Sequence, residues 1–211
     1  MNKDNILKYP SRNEAYKIWE DGIKYRQSRP YPFPLENEYR FHTQGVAAAA
    51  QAIAEHVNGM DREKAFVLGL LHDYGKRINE KIENKFHGRE GYEVMMDLGF
   101  PAVAQICLTH TFPNQNFDDS EYAYPQEWKD WVHQKIAKIQ YDDYDYLICL
   151  CDKFFEGLSM VSIEKRTEGI AQRYNINKAQ KDILYKQSIA LKKYFDEKTG
   201  MDIYQILKIR D

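Results

Sequence analysis

Apolar positions recur at three- to four-residue spacing along nearly the whole chain, and no run alternates convincingly at period two. The pattern therefore predicts helices throughout and no sheet. Ser11-Arg12-Asn13-Glu14 has the form of a capping box and opens a helix to about Ser28. Arg29-Pro30-Tyr31-Pro32-Phe33-Pro34 reads as an extended, proline-stiffened connector. The next helix is expected from about Glu38 to Asn58 and contains the run Val46-Ala47-Ala48-Ala49-Ala50. Gly59 ends it, and Asp61 caps the following one, which carries Gly69-Leu70-Leu71-His72-Asp73-Tyr74-Gly75-Lys76. A loop near Asn84 leads to His87-Gly88, and a short helix covers about Arg89 to Leu98. Gly99-Phe100-Pro101 stops that helix and starts another through His110. Residues 112–125 form the longest loop, of the kind that often borders a binding site. Further helices are predicted over about Gln126–Gln140, Asp142–Met160, Ser162–Tyr174 and Lys178–Thr199.

This organisation fits one domain over residues 1–211. Residues 1–34 give an N-terminal helix and connector, too few to fold alone; 35–160 form the core; 161–211 add C-terminal helices. In that tail Lys192, Lys193 and Lys198 alternate with acids, as on a solvated helix. Ile189, Leu191, Tyr194 and Phe195 suggest packing onto the bundle or onto a partner chain, such as a second copy. With 43% apolar and 29% charged residues, the chain has the composition of an ordinary globular protein. A formal charge of −2 provides no bulk attraction to nucleic acid or to an anionic membrane. The start MNKDNILKYP has no apolar stretch of the signal-peptide kind, and no segment approaches a membrane span of roughly 20 apolar residues. The expected location is the cytoplasm. Cys107, Cys149 and Cys151 do not make a disulfide framework and read as small buried hydrophobes in a reducing compartment.

The exception to the apolar pattern is its polar content. His72 and Asp73 stand side by side in an apolar segment, and burying such a pair is unfavourable unless something binds it. His42, His87, His110 and Asp152 occupy similar contexts; Asp152 stands among Ile148, Cys149, Cys151 and Phe155. Imidazole and carboxylate donors drawn from several helices suit a divalent metal. Asp73 has two oxygens and could bridge two ions, which an imidazole could not. His56 lies 14 residues after His42, about 21 Å along one helix, so the two cannot share an ion. His56 reads as surface, His133 as an ordinary residue, and Asp142, Asp143 and Asp145 as helix-start acids favoured by the dipole. A helical scaffold with scattered histidines remains the bland alternative at this point.

The order His42, His72-Asp73, Asp152 resembles the H…HD…D signature of the HD superfamily of metal-dependent phosphohydrolases. His72-Asp73-Tyr74-Gly75-Lys76 is similar to the HDxGK element of its HDIG-type branch, and Leu147-Ile148-Cys149-Leu150-Cys151-Asp152-Lys153 looks like the segment carrying the last aspartate. His87 and His110 match the two extra histidines of members with a two-metal centre. The resemblance covers about residues 38 to 160, with a longer interval from His110 to Asp152 than in compact members.

The resemblance implies an all-α, HD-domain-like helical bundle. It implies an enzyme that cleaves a phosphate ester or anhydride of a nucleotide or related small molecule with a metal-activated water. The alternative is a non-catalytic metal- or nucleotide-binding module acting as a sensor. His42, His72, Asp73 and Asp152 would hold one ion; Asp73, His87 and His110 would hold a second. Fe, Mn, Mg, Zn and Ni are not distinguished. Lys76, four residues after His72 on what is predicted to be one helix face, is the candidate phosphate contact, with Arg89 and Lys153 as weaker ones. Tyr74, Phe112 and Phe117 are candidates to stack on a base.

Overall fold

A computed structural model describes residues 7–31, 36–113, 115 and 125–210. Among these residues the fold is all-α apart from one hairpin with two residues in each strand. Ser11 caps α1 (Arg12–Gln27) through the capping box that the sequence indicates. Two long-range neighbours, α2 (Glu36–Ala54) and α3 (Arg62–Leu71), form the centre of the bundle. They approach closely because Gly69 faces Ala47: a Cβ at Gly69 would stand 2.8 Å from the Ala47 Cα. Around this pair lie α1, α5 (His87–Asp97), α6 (Pro101–Thr109) and α8 (Asp143–Cys151), while α9 (Ile163–Tyr174) and α10 (Lys178–Thr199) close the side beyond α8. A single apolar core runs from Trp19 and Ile23 of α1 through Val46, Leu70 and Leu147 to Leu191 and Phe195 of α10. A smaller cluster of Phe86, Leu108, Phe112, Trp128 and Val132 lies under α7 (Gln126–Ile136).

The structure departs from the periodicity reading at several element ends. Helix α2 stops at Ala54, and residues 55–59 turn through Gly59, whose φ is +84°. Helix α3 stops at Leu71, and Tyr74–Arg77 form a 3₁₀ turn. The cause is the approach of that turn to α5: a Cβ at Gly75 would stand 1.8 Å from the His87 carbonyl oxygen, so only glycine fits there. His87 opens α5 rather than preceding it, and α7 ends at Ile136.

The helix expected over Asp142–Met160 ends at Cys151. A 3₁₀ turn (Asp152–Phe154) follows, then β1 (Phe155–Glu156) paired antiparallel with β2 (Ser159–Met160) around Gly157, φ +56°. The expectation of no sheet is corrected to this extent, because two paired residues per strand are too few to show alternation. Two one-turn helices, α4 (Glu80–Glu83) and α11 (Ile203–Leu207), are also additions for the same reason of length. Pro32–Leu35 and most of the 112–125 loop, Phe117 included, lie outside the described residues. No helix among the described residues is long and apolar enough to cross a membrane.

Candidate metal centre

Four helix ends and one helix face converge on one point. His42 projects from α2; His72 is the C-cap of α3 and Asp73 follows it; His87 is the first residue of α5; His110 is the C-cap of α6; Asp152 is the C-cap of α8. Helix C-termini leave carbonyls without intrahelical donors; the His72 imidazole meets such a carbonyl, and the His110 imidazole is a second partner of one that already accepts the His110 backbone N–H. His72 Nδ1 lies 2.7 Å from the Gly69 carbonyl and His110 Nδ1 lies 3.0 Å from the Ile106 carbonyl. His87 Nδ1 lies 2.8 Å from Glu80 Oε1, a carboxylate that also accepts the His87 backbone N–H.

These contacts determine the chemistry on the other side of each ring. A neutral imidazole that donates from Nδ1 presents a lone pair at Nε2. His42 Nε2 and His72 Nε2 are 3.2 Å apart, and each faces Asp73 Oδ2, at 3.5 and 3.4 Å. His42 Nε2 is also 3.1 Å from Asp152 Oδ1, and His72 Nε2 is 3.9 Å from it. On the other side, His110 Nε2 and His87 Nε2 lie 3.4 and 3.7 Å from Asp73 Oδ1. Asp73 is 1% exposed, and its Oδ1 is a buried acceptor with no hydrogen-bond partner. Lone pairs converging on a buried carboxylate repel one another unless a cation lies between them. Two donor groups therefore fit divalent metal ions, His42–His72–Asp73 and Asp73–His87–His110, and Asp73 belongs to both, one oxygen to each.

The electrostatics of the site agree with this arrangement. Burial works against ionising Asp73, but Lys76 and His72 outweigh it and hold the carboxyl well below its ordinary range. Asp152 is likewise held low against burial, by Lys153, His42 and the more distant Arg166. Burial lowers His42 and takes His110 down to about 4, so both rings are neutral near pH 7. Burial acts in the same sense on His72, but the adjacent Asp73 and Asp152 raise it overall. Lys76 Nζ is 2.5 Å from Asp73 Oδ2 and Lys153 Nζ is 2.7 Å from Asp152 Oδ2, so one ammonium sits beside each carboxylate.

The structure thus brings together His42, His72, Asp73, His87, His110 and Asp152, with Lys76 and Lys153 at the edge. The route of Lys76 differs from the helical one expected. It reaches Asp73 across the 3₁₀ turn, three residues on, rather than standing on the His72 face of a continuing helix. Arg89 is engaged elsewhere, with Glu93 at 2.9 Å and Glu127 at 3.5 Å and over the Trp131 ring. Tyr74 is buried against Gly22 and Phe112 is buried in the smaller apolar cluster, so neither presents a face for stacking. His56 and His133 are exposed, away from the centre. All three cysteines are buried and free; Cys107 donates to the Leu71 carbonyl. Among Asp142, Asp143 and Asp145, the first caps α8 as expected. Asp145 is instead fully buried and accepts from Thr109 and Gln105 of α6.

Sequence reasoning missed Glu80. It lies on a four-residue helix with no periodicity, seven residues before the histidine it orients, and nothing in the local pattern marks it.

An all-helical bundle with histidines and aspartates gathered at the ends of its helices defines a class of metal-binding domain, and one family model fits it. The HD domain model matches residues 39–155, more than half of the chain, opening three residues before His42 and closing three after Asp152. The chain belongs to the HD domain family, a helical family of metal-dependent phosphohydrolases. No curated protein and no solved structure matches it.

Proposed function

We propose that this protein is a phosphohydrolase with two divalent ions, acting on an ester or anhydride of a small phosphorylated molecule. The observation that supports it best is the division of Asp73: one oxygen faces His42 and His72, and the other, buried and without a partner, faces His87 and His110. Two ions bound a few ångströms apart acidify a water and offset charge on a phosphoryl group undergoing in-line displacement. The chain's own residues supply the rest. The Nδ1 contacts to Gly69, Glu80 and Ile106 fix the rings so that each Nε2 is an acceptor. Lys76, whose side chain is 44% exposed, can turn from Asp73 toward a phosphoryl oxygen at the mouth and neutralise it as a point charge. Lys153 is placed to do the same beside Asp152.

With Tyr74 and Phe112 buried, a nucleobase has no stacking partner among the three aromatics the sequence nominates within the described residues, so a nucleotide is one substrate class to test rather than the default. A sensor module without turnover is the rival reading. Such a domain has no need of all six ligands and both ammonium groups, and all are present.

The test is metal content and turnover measured on one preparation, with nucleotides, sugar phosphates and simple monoesters as substrates. Wild type should carry close to two ions per chain and release phosphate. Asp73→Ala should lose both the metal and the turnover, with the helical circular dichroism retained. Full metal occupancy with no phosphate released from any substrate would favour the sensor.

A further inference from the structure

Helix α9 begins beyond the span that matches the family model, and its composition is divided between two sides. Glu164 accepts from Tyr185 and Tyr204, and Glu168 accepts from Lys181, so the acids face α10 and α11. Arg166, Gly169 and Arg173 recur at helical spacing, form the opposite stripe, and face the hairpin. Both arginines engage one carboxylate, Glu156 of β1. Glu156 fits between them because residue 169 is glycine: a Cβ there would stand 2.9 Å from the Glu156 carboxyl carbon.

Two positive charges thus meet one negative charge, and a donor is left over. Arg166 Nε is buried and has no hydrogen-bond partner. A guanidinium carries five N–H groups in a planar fork suited to carboxylate and phosphate, so an unused buried donor beside a surplus positive charge is an anion site that Glu156 only partly fills.

The location matters as much as the charge. Glu156 is four residues from Asp152, and α9 packs on both the Asp152–Phe154 turn and β1. Asp152 also lies in the field of Arg166. Helix α9, with its arginine stripe, therefore flanks the turn that carries Asp152.

We propose that Arg166 and Arg173 form a second anion subsite, and that the natural substrate carries a second phosphate beside the one at the metal centre, as a pyrophosphorylated or bisphosphorylated small molecule does. This rests on the phosphohydrolase reading, and a direct binding measurement separates the two. Inorganic phosphate and inorganic pyrophosphate are titrated calorimetrically into metal-loaded, desalted protein. Wild type should bind pyrophosphate roughly tenfold or more tightly than phosphate, the effect of one added charge-assisted contact.

Arg173→Gln should remove that preference. Glu156→Gln, which frees both guanidinium groups, should keep or increase it. If the arginines serve only to fasten the hairpin to α9, the two variants will change binding in the same direction, and the proposal is overturned. It is overturned as well if wild type does not distinguish the two anions. Where Arg173→Gln lowers the melting temperature, Arg173→Met, which keeps the apolar stem and removes the charge, should remove the preference in its place. A wild type that prefers pyrophosphate through Arg173 yet hydrolyses no ester leaves the subsite standing and removes the phosphohydrolase reading. Hydrolysis of a simple monoester with no pyrophosphate preference does the reverse.

Discussion

At the scale of single residues, the centre depends on which nitrogen of each ring carries a proton. His87 is the clearest case, because its Nδ1 partner is a side chain rather than a backbone carbonyl. Removing an outer carboxylate of this kind typically weakens metal affinity 10- to 100-fold. Glu80→Ala should therefore weaken the ion held by His87 and His110 by roughly that factor, while the ion on the His42 side keeps its affinity. Competition with a chromophoric chelator reads the two sites separately, and equal weakening of both would place Glu80 in a general structural role. His110→Ala should lower the stoichiometry from two ions to one, since Asp73 and the His42–His72 pair remain; elemental analysis of the dialysed protein measures it. Of the six residues gathered at the centre, His72, Asp73, His110 and Asp152 were legible because each is a polar residue in an apolar run; His42 and His87 have mixed or polar neighbours and were legible through the order of residues on which the family resemblance rests. Glu80 was not, because a carboxylate in a polar segment is no anomaly. Tyr74 was misjudged for the converse reason: its neighbours in the chain are at the site, but its ring turns into the core against Gly22.

At the scale of elements, Asp145 joins two of the helices that carry ligands. Its carboxylate accepts from Thr109 Oγ1 at 2.6 Å and Gln105 Nε2 at 2.8 Å, both on α6, and from the Asp142 backbone N–H at 2.8 Å in the α8 capping box. It thereby fixes the His110 end of α6 against α8, which ends at Asp152. Burial pushes this carboxyl up from 3.8 to about 6 in spite of those donors. The folded value lies above the unfolded one, so the contribution to stability is fully present below about pH 4 and is lost as pH rises through about 6. A shift of this size corresponds to roughly 2–3 kcal/mol. Denaturant midpoints of the metal-free protein should accordingly fall between pH 4 and 6 through this group, and Asp145→Asn should flatten that slope. A slope unchanged by the substitution would assign the titration to another group. The helix-start signals at Ser11, Asp61 and Asp142 were legible because caps are local chemistry, and all three cap as side-chain acceptors. Asp145 was readable only as one more helix-start acid, because its partners Gln105 and Thr109 lie about 40 residues away in the chain. The end of α3 at Leu71 was hidden in the same way: the clash that demands glycine at 75 comes from the His87 carbonyl.

At the scale of the whole molecule, the six gathered residues come from α2, the α3 end, α5, α6 and α8, so a metal bound among them would fasten most of the bundle to one point. A ligand that binds only the folded state stabilises it by RT ln(1 + [L]/Kd), about 2.7 kcal/mol at a hundredfold excess over Kd. For a chain of this length that corresponds to a rise in melting temperature of about 5–10 °C. Chelation should lower the melting temperature of wild type by that amount, and restoring the divalent ion should recover it. Asp73→Ala should not respond, because both donor groups need that residue. His110→Ala should show part of the shift. The sign for Asp73→Ala without metal is not obvious from burial alone. Removing a buried carboxylate relieves the lone-pair repulsion with four imidazoles, but it strands Lys76, whose ammonium is 2.5 Å from Asp73 Oδ2. Against burial, Lys76 and His72 hold the carboxyl well below its ordinary range, so these attractions outweigh the repulsion, and metal-free Asp73→Ala should melt below metal-free wild type. A metal-free variant that melts at or above metal-free wild type would show that repulsion among the converging lone pairs dominates over Lys76 and His72, and that the centre depends on a bound cation to hold the bundle together.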